Sequence, residues 1–397
     1  MANSILTPTM ITREALRILH QKLNFIGNIN RAYDDRFSQE GAKIGTTLNI
    51  RLPNQYTVRT GATLSAQDTT ESNTSLTVST QKGVDLNFTS VDLTMSLDDF
   101  SYRILEPAMA VLAANVEADA LSMFKDVYQV VGTPGTTPNA LLTYLQAKAR
   151  LDNSLAPQNQ RSLLLDPLSQ VTIVDALKGL FNDPKSISKQ YREGVMGSTI
   201  GFDWFMNTMV PTHTNGDTVT GLSVSGAGQT GSNLLVGGSA NTNTFKKGTV
   251  FTIAGVFEVH PETKVATSRL QTFVVTADTT ATTTTVTLPI SPAIVTSGGG
   301  QNVAAAPANS AAITVLSGSA STSYLQNLAF HKDAFTFATA DLIMPQGVDF
   351  ARREVMDGVS MRIVRQYDIN NDKFPCRLDL LYGYKTIRPQ LACRVTA

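Results

Sequence analysis

A few groups of residues have types and spacings that could carry chemistry. Gly226-Ala227-Gly228-Gln229-Thr230-Gly231 spells GxGxxG, the turn whose glycines let a backbone approach a pyrophosphate at a helix N-terminus. That reading requires a strand before it, a helix after it and an acid about 20 residues on. Here Ser232-Asn233-Leu234-Leu235-Val236-Gly237-Gly238 follows and the next acid is Glu258, so a flexible loop fits better. Asp368, Asn370 and Asp372 match the first ligands of a calcium loop. Lys373, however, stands where glycine is required, and Asp379 where a bidentate glutamate belongs, so a hairpin turn is the simpler expectation. His20, His213, His260 and His331 lie in four separate segments without HxxxH spacing, and read as surface or capping histidines. Cys376 and Cys393 have no CxxC or histidine partner and read as buried free thiols. Neither a Walker A loop nor GxSxG occurs, so no cofactor or metal is expected and the chain does not read as an enzyme.

Composition points the same way. The chain has 397 residues, with 32 Lys plus Arg against 32 Asp plus Glu, and only 16% of residues are charged while 42% are hydrophobic. At about 150 residues per domain this allows two or three domains, too apolar for disorder and without the positive excess of a nucleic-acid binder. Zero net charge removes the repulsion that keeps copies apart. Lys185, Lys189, Arg192, Arg352 and Arg353 could touch phosphates, but Asp183, Glu193 and Glu354 are interleaved and no aromatic ladder accompanies them, so a solvated face or subunit contact is expected. Trp204, within Gly201-Phe202-Asp203-Trp204-Phe205, reads as a core or interface anchor. Residues 1–12 lack the basic and apolar regions of a signal peptide, and the most apolar stretch, 108–114, is far short of the ~20 residues that span a bilayer. A soluble intracellular protein without membrane contact is the expectation.

The elements that would position these residues follow from periodicity. Leu16, Leu19 and Leu23, with Thr12 as a cap, predict a short amphipathic helix. Leu48, Ile50 and Leu52 alternate with polar residues, residues 60–75 are polar, and alternation resumes at Leu76, Val78, Val84, Leu86 and Phe88. This predicts an extended hairpin, which cannot stay ordered without a neighbour. Ser96 and Asp99 resemble a capping box ahead of Leu105, Met109, Leu112, Val116, Ala120, Met123 and Val127, whose spacing predicts one long helix ending near Gly132, with Pro107 starting or kinking it. Further helices are predicted near 139–151 and 168–181. Residues 217–323 then break the pattern: eight of 107 are charged, four acids and four bases, and 21 are threonine. Short alternating runs around Phe251, Phe257, Phe273 and Val286 predict an antiparallel β-barrel or sandwich, inserted into a host that resumes with strands at 335–343, 359–367 and 376–382. Those strands and the long helix make the host α+β.

The order of these parts resembles the major coat protein of tailed double-stranded-DNA bacteriophages, in the short-tailed branch whose coat carries an inserted β-barrel domain. The resemblance rests on the hairpin at 45–95, on Leu112-Ala113-Ala114-Asn115-Val116-Glu117 in the long helix and on Phe245-Lys246-Lys247-Gly248-Thr249-Val250-Phe251-Thr252-Ile253-Ala254-Gly255-Val256 in the insertion. The closing run Tyr382-Gly383-Tyr384-Lys385-Thr386-Ile387-Arg388-Pro389 also carries it. It implies an N-terminal arm (1–44), an extended loop (45–95) reaching over a neighbouring subunit and the spine helix of a peripheral domain (96–137). An axial domain (138–216) follows, then the β-barrel (217–323) on the outer surface, and a return to axial and peripheral strands (324–397). It further implies pentamers and hexamers in an icosahedral shell, a scaffolding protein, a portal protein, and a precursor that expands around DNA it encloses without reading its sequence. Such a protein would be assembled in the host cytoplasm and end in the virion. Ala281 to Thr285 and Gly298 to Ala308 are low in complexity, which sets the insertion's loops apart.

A shell protein needs broad self-complementary surfaces with charges paired at their rims. Arg51, Arg59, Lys82 and Asp85 on the hairpin, and Asp98 and Asp99 ahead of the helix, are the candidates for such subunit contacts. Each exposed pair is worth only about 0–1 kcal/mol, so register rather than strength would be their contribution. Two other classes fit less of the sequence: a Thr-rich bacterial surface or adhesion protein, and an enzyme with a dispersed site.

Overall fold

The computed structural model describes residues 8–32, 47–64, 66–68, 71–89, 104–177, 197–217, 220–240, 242–356, 359–370 and 373–397. They divide into two compact units. The first lies within Met1–Ile50, Asn73–Leu121 and Phe335–Ile387, and the second within Arg51–Ser72, Ser122–Ala334 and Arg388–Ala397.

In the first unit a helix at Pro8–Lys22 buries Ala15, Leu16, Ile18 and Leu19. It starts a turn before Thr12, because Pro8 already has the φ of a first helical position; Thr12 is buried inside the helix and does not cap it. The long helix runs Glu106–Leu121, with Pro107 at its second position, where a missing N–H costs nothing. It is shorter than predicted: Ser122–Asp126 tightens into a 3₁₀ turn, and Val130–Val131 is already a strand. The capping box at Ser96 and Asp99 lies outside the described residues. Buried Glu117 on this helix accepts the Phe25 amide at 2.6 Å.

The predicted hairpin is split. Among the described residues Thr47–Arg51 pairs only with Asn73–Thr77, and the following strand, Thr80–Thr89, leaves it to pair with Lys373–Thr386 over ten residues. Two strands alone cannot bury one face, and the longer one finds that burial in a five-stranded sheet. There Phe335–Thr339, Lys373–Thr386, Val359–Arg365 and Phe350–Met356 are neighbours in that order. Phe335, Phe337, Met361, Ile363, Leu378, Leu380 and Tyr382 are buried at alternate positions along three of these strands, and Thr336, Ala338 and Asp379 between them are buried as well, so these strands are covered on both faces there.

The second unit holds two large sheets, besides a two-stranded one that pairs Thr244–Phe245 with Thr279–Thr280. The first is seven-stranded and mixed, in the order Val130–Val131, Ala392–Thr396, Ser323–His331, Arg161–Leu165, Phe202–Met206 and Ser198–Thr199. Thr212–Thr214 pairs with Ser323–His331 as well. Helices at Leu141–Asn153 and Pro167–Leu177 belong to the same unit, near the predicted 139–151 and 168–181, of which residues 178–181 lie outside the described residues. Trp204 is buried here, its indole N–H donating to the Thr199 carbonyl at 3.2 Å and its ring 5.1 Å from that of Tyr144. The second sheet is the threonine-rich segment: Ile313–Val315, Val250–Val259, Ala266–Val275, Thr285–Ile294, Gly231–Gly237 and Ser223–Val224, all antiparallel and curled around one core. Phe251 and Phe273 stack at 5.8 Å inside it, with Leu234, Ile253, Leu288 and Ile290 around them. Each such side chain contributes about 1.5–3 kcal/mol of apolar burial. The chain is therefore α+β with an inserted antiparallel barrel-like sheet.

The chemical motifs resolve into structure. Gly231 of the GxGxxG opens a strand, not a helix. Asp368 bridges to Lys373 in a hairpin turn. His260 caps a turn by accepting the Glu262 and Thr263 amides on Nδ1. His213 and His331 are buried rather than at the surface, each on or at the end of a strand of the seven-stranded sheet, while His331 caps as expected, its Nδ1 accepting the Asp333 amide at 3.2 Å. Among the described residues no helix is long and apolar enough to cross a membrane and no three metal-binding side chains cluster.

Candidate functional site: contact surfaces and the seat of the inserted sheet

The residues proposed for contacts separate by environment. Lys82 is half-buried and bonds within its own chain, its Nζ 2.7 Å from Asp119 on the long helix. Asp119 also accepts the Tyr382 hydroxyl at 2.5 Å; burial, then this bond and the Asp119 charge, push the Tyr382 phenol up. One residue on, Gly83 lies opposite Asp379, and an ideal Cβ there would sit 2.4 Å from the Leu378 carbonyl oxygen. That close approach lets Asp379 hold Arg362 (2.6 Å) and Arg377 (2.7 Å) while fully buried. Burial pushes the Asp379 carboxyl up, but the hydrogen bonds and charges of the two arginines outweigh it and hold it below the usual carboxylate range. Asp85 is exposed and directly opposite Arg377 across the strands. Asp98 and Asp99 lie outside the described residues, as do Lys185, Lys189 and Arg192. Arg352 and Arg353 are exposed and pair with Glu354 (3.1 Å) and Asp341 (3.2 Å).

Arg51 ends the first hairpin strand and Arg59 lies in the tip beyond it. Arg51 pairs with Glu71 at 3.5 Å, Leu52 N–H donates to Ser72, and Arg59 donates to the Gly61 carbonyl. The Gln67 carboxamide replaces a strand rung: its oxygen accepts the Thr57 amide at 2.9 Å and its nitrogen donates to the Thr57 carbonyl at 2.6 Å. A tip so stapled presents apolar residues outward, with Val58 93% and Leu64 82% exposed and Tyr56 beside them. Its base crosses a loop of the inserted segment so closely that an ideal Cβ on Gly299 would lie 2.3 Å from the Gln55 carbonyl oxygen. Gly299→Ala is therefore expected to displace the Gln55 main chain and raise tryptic cleavage after Arg59 severalfold, without a change in overall helix and strand content; unchanged cleavage would contradict this contact.

Beside that crossing is a cavity of about 640 Å³ lined by Tyr128, Gln129, Arg150, Glu258, Arg269 and Asn302 among others. Glu258 takes a hydrogen bond from Arg269 Nε at 3.0 Å and lies 3.9 Å from Arg150, so its carboxylate is matched by two cations. The lining offers charge balance and amides.

A second feature escapes sequence reasoning. The turn Lys246–Gly248 of the inserted segment rests on a seat formed by Phe124, Lys125, His213 and Arg394. Arg394, on the last strand, is fully buried; its Nη1 donates to the Gly248 carbonyl at 2.7 Å, its Nη2 to the Lys125 carbonyl at 3.3 Å, and it lies 5.3 Å from the Phe124 ring centre. Burial pushes its guanidinium down to about 9. His213 meets Phe124 edge-on at 6.3 Å, and burial, followed by the Arg394 charge, pushes its imidazole down to about 3. Lys247 pairs with Asp126 at 2.7 Å at the rim. In sequence, only the run Phe245-Lys246-Lys247-Gly248 signals this site, and Arg394 has no local pattern at all. Cys376 and Cys393 are buried as expected, and burial pushes both thiols up to about 12.

The profile of the P22 coat protein family (gene protein 5) matches residues 35–394. A search of curated proteins finds no match. Similar solved structures include Mycobacterium phage Che8 (12% identity, 93% of this chain and 89% of that one, TM-score 0.48) and the bacteriophage PhiM1 mature capsid (10%, 90% and 83%, TM-score 0.41). The CUS-3 coat protein I-domain is 33% identical over 25% of this chain and 99% of its own length, with a TM-score of 0.20. The matched residues run through both units and include the whole inserted segment. The chain thus belongs to the P22 coat protein family, the major capsid proteins of tailed bacteriophages that build an icosahedral shell.

Proposed function

We propose that this capsid protein forms pentamers and hexamers around a scaffolding protein, with a portal protein at one site, and that the resulting precursor expands as double-stranded DNA enters. Assembly takes place in the host cytoplasm, and the role is structural, without catalysis. The observation that carries this reading is the stapled tip, since Val58 and Leu64 are exposed on a loop that its own bonds hold in shape. A rigid apolar tip gains stability when another copy covers it. Residues 1–44 act as the N-terminal arm, 45–95 as the extended loop, 96–137 as the spine, 138–216 as the first part of the axial domain, 217–323 as the outer brace, and 324–397 as axial and peripheral strands. Arg51, Arg59 and Asp85, all exposed, set register against a neighbour together with Asp98 and Asp99, while Lys82 supports the strand behind them. Neutral net charge suits a container that releases its DNA.

Deletion of residues 62–73 tests this reading. The expected product is a folded chain that forms no shells; normal shells from the deletion variant would overturn the role of the tip.

A further inference from the structure

A buried cation without a salt-bridged carboxylate is costly, and a well-packed apolar residue in its place is often as stable or more so. Arg394 is such a cation among the described residues: it is fully buried and bonds two main-chain carbonyls and a ring face, and its Nε has no partner. Stability alone does not account for arginine here, whereas geometry does. A guanidinium is a rigid fork of donors, able to hold two acceptors at a fixed separation. The two it holds come from different elements. Gly248 is in the turn of the inserted segment, and Lys125 is in the 3₁₀ turn after the long helix.

The surroundings leave the turn no slack. Gly248 has φ +99°, and a Cβ built on it would lie 3.2 Å from both His213 and Lys125, so only glycine sits this deep without displacing them. Buried Val250 and Val274 pack with Val130 beside it, and the Lys247–Asp126 pair closes the rim. An inserted body joined to its host by two connections moves relative to it by default unless the interface is large or specifically tied.

We propose that Arg394 is the positioning residue that fixes the pose of the inserted β-body, tying the Gly248 carbonyl to the Lys125 carbonyl from the last strand of the chain. The consequence for assembly rests on the shell reading above. Identical contacts repeat around a shell only when every copy points its inserted body the same way. The C-terminal strand, and not only the inserted segment's own core, therefore governs those contacts.

The test uses the full chain with spin labels on Asn159→Cys and Thr283→Cys, both exposed and in the same unit, one in the host and one in the inserted body. Both native thiols are buried and do not compete for label. Pulsed electron resonance on the unassembled parent is expected to give one narrow distance distribution. Arg394→Met is expected to broaden it roughly twofold while strand content is unchanged, since the domain then swings on its connections. Arg394→Lys, which reaches the Gly248 carbonyl but cannot bridge both, is expected to recover part of the narrowing. Gly248→Ala supplies an independent arm, pushing the turn off the seat with Arg394 intact. A distribution as narrow as the parent's in a folded Arg394→Met chain overturns the proposal, as does a narrow one in Gly248→Ala if the methionine variant does not fold. Because this readout precedes assembly, a failure of the shell reading leaves it unaffected. Broadened distances together with uniform shells would overturn the assembly consequence.

Discussion

Lowering the pH from 6.5 to about 4.5 is expected to cost this protein about 2–3 kcal/mol of stability through His213 alone, and His213→Gln should remove that part of the slope. The sign follows from the proton count. Folded, His213 binds a proton only near pH 3, because it is buried and faces the charges of Arg394 and Lys125; unfolded, it binds one near 6.5. Between those values the unfolded chain holds more protons, so stability is fully present above 6.5 and lost as pH falls towards 3. Each pH unit in that window is worth about 1.4 kcal/mol. His331 is lowered by burial too, although Asp333 opposes the shift, and adds a contribution of the same sign. Denaturant titrations of parent and His213→Gln at the two pH values check this. Equal slopes would show that the imidazole is already solvated in the folded chain.

Asp379→Ala is expected to be the most damaging single change in the five-stranded sheet, at about 3–5 kcal/mol, because it strands buried positive charge. Arg377 is 57% exposed and can turn to water, but Arg362 is 16% exposed and is held by the Ile343 carbonyl at 2.6 Å. Asp379→Asn keeps the shape without the charge and should fall between the two. Arg362→Met in the Asp379→Ala background should return part of the loss, since removing both partners spares the unpaired ion. Lys82→Ala serves as the comparison. Its pair with Asp119 is one-third exposed, so about 1 kcal/mol or less is expected. Similar losses for Asp379→Ala and Lys82→Ala would contradict the buried, two-arginine description.

These two sites show what is readable in the sequence and what is not. The inserted sheet is legible because composition changes abruptly at its borders and its strands alternate, as at Phe251 and Ile253 or Val286, Leu288 and Ile290. The long helix is legible from its apolar spacing, though its end is not: Met123 and Val127 keep helical spacing while their backbone has already left the α-helix. Pairing is harder. Val84 and Leu86 announce a strand, but alternation says nothing about its partner, and the partner lies nearly 300 residues away in Lys373–Thr386. In the sequence Asp379 stands as a misplaced calcium ligand, since a buried carboxylate is marked only by its arginines, which come together through strand register. Arg394 gives no sign because both of its acceptors are main-chain atoms, which any residue provides.

The central claim, that this chain builds a closed shell, is tested most directly by electron microscopy of lysate in which it is produced together with its neighbouring genes. Closed particles of uniform size are the expected result. A soluble monomer under every condition would contradict the account.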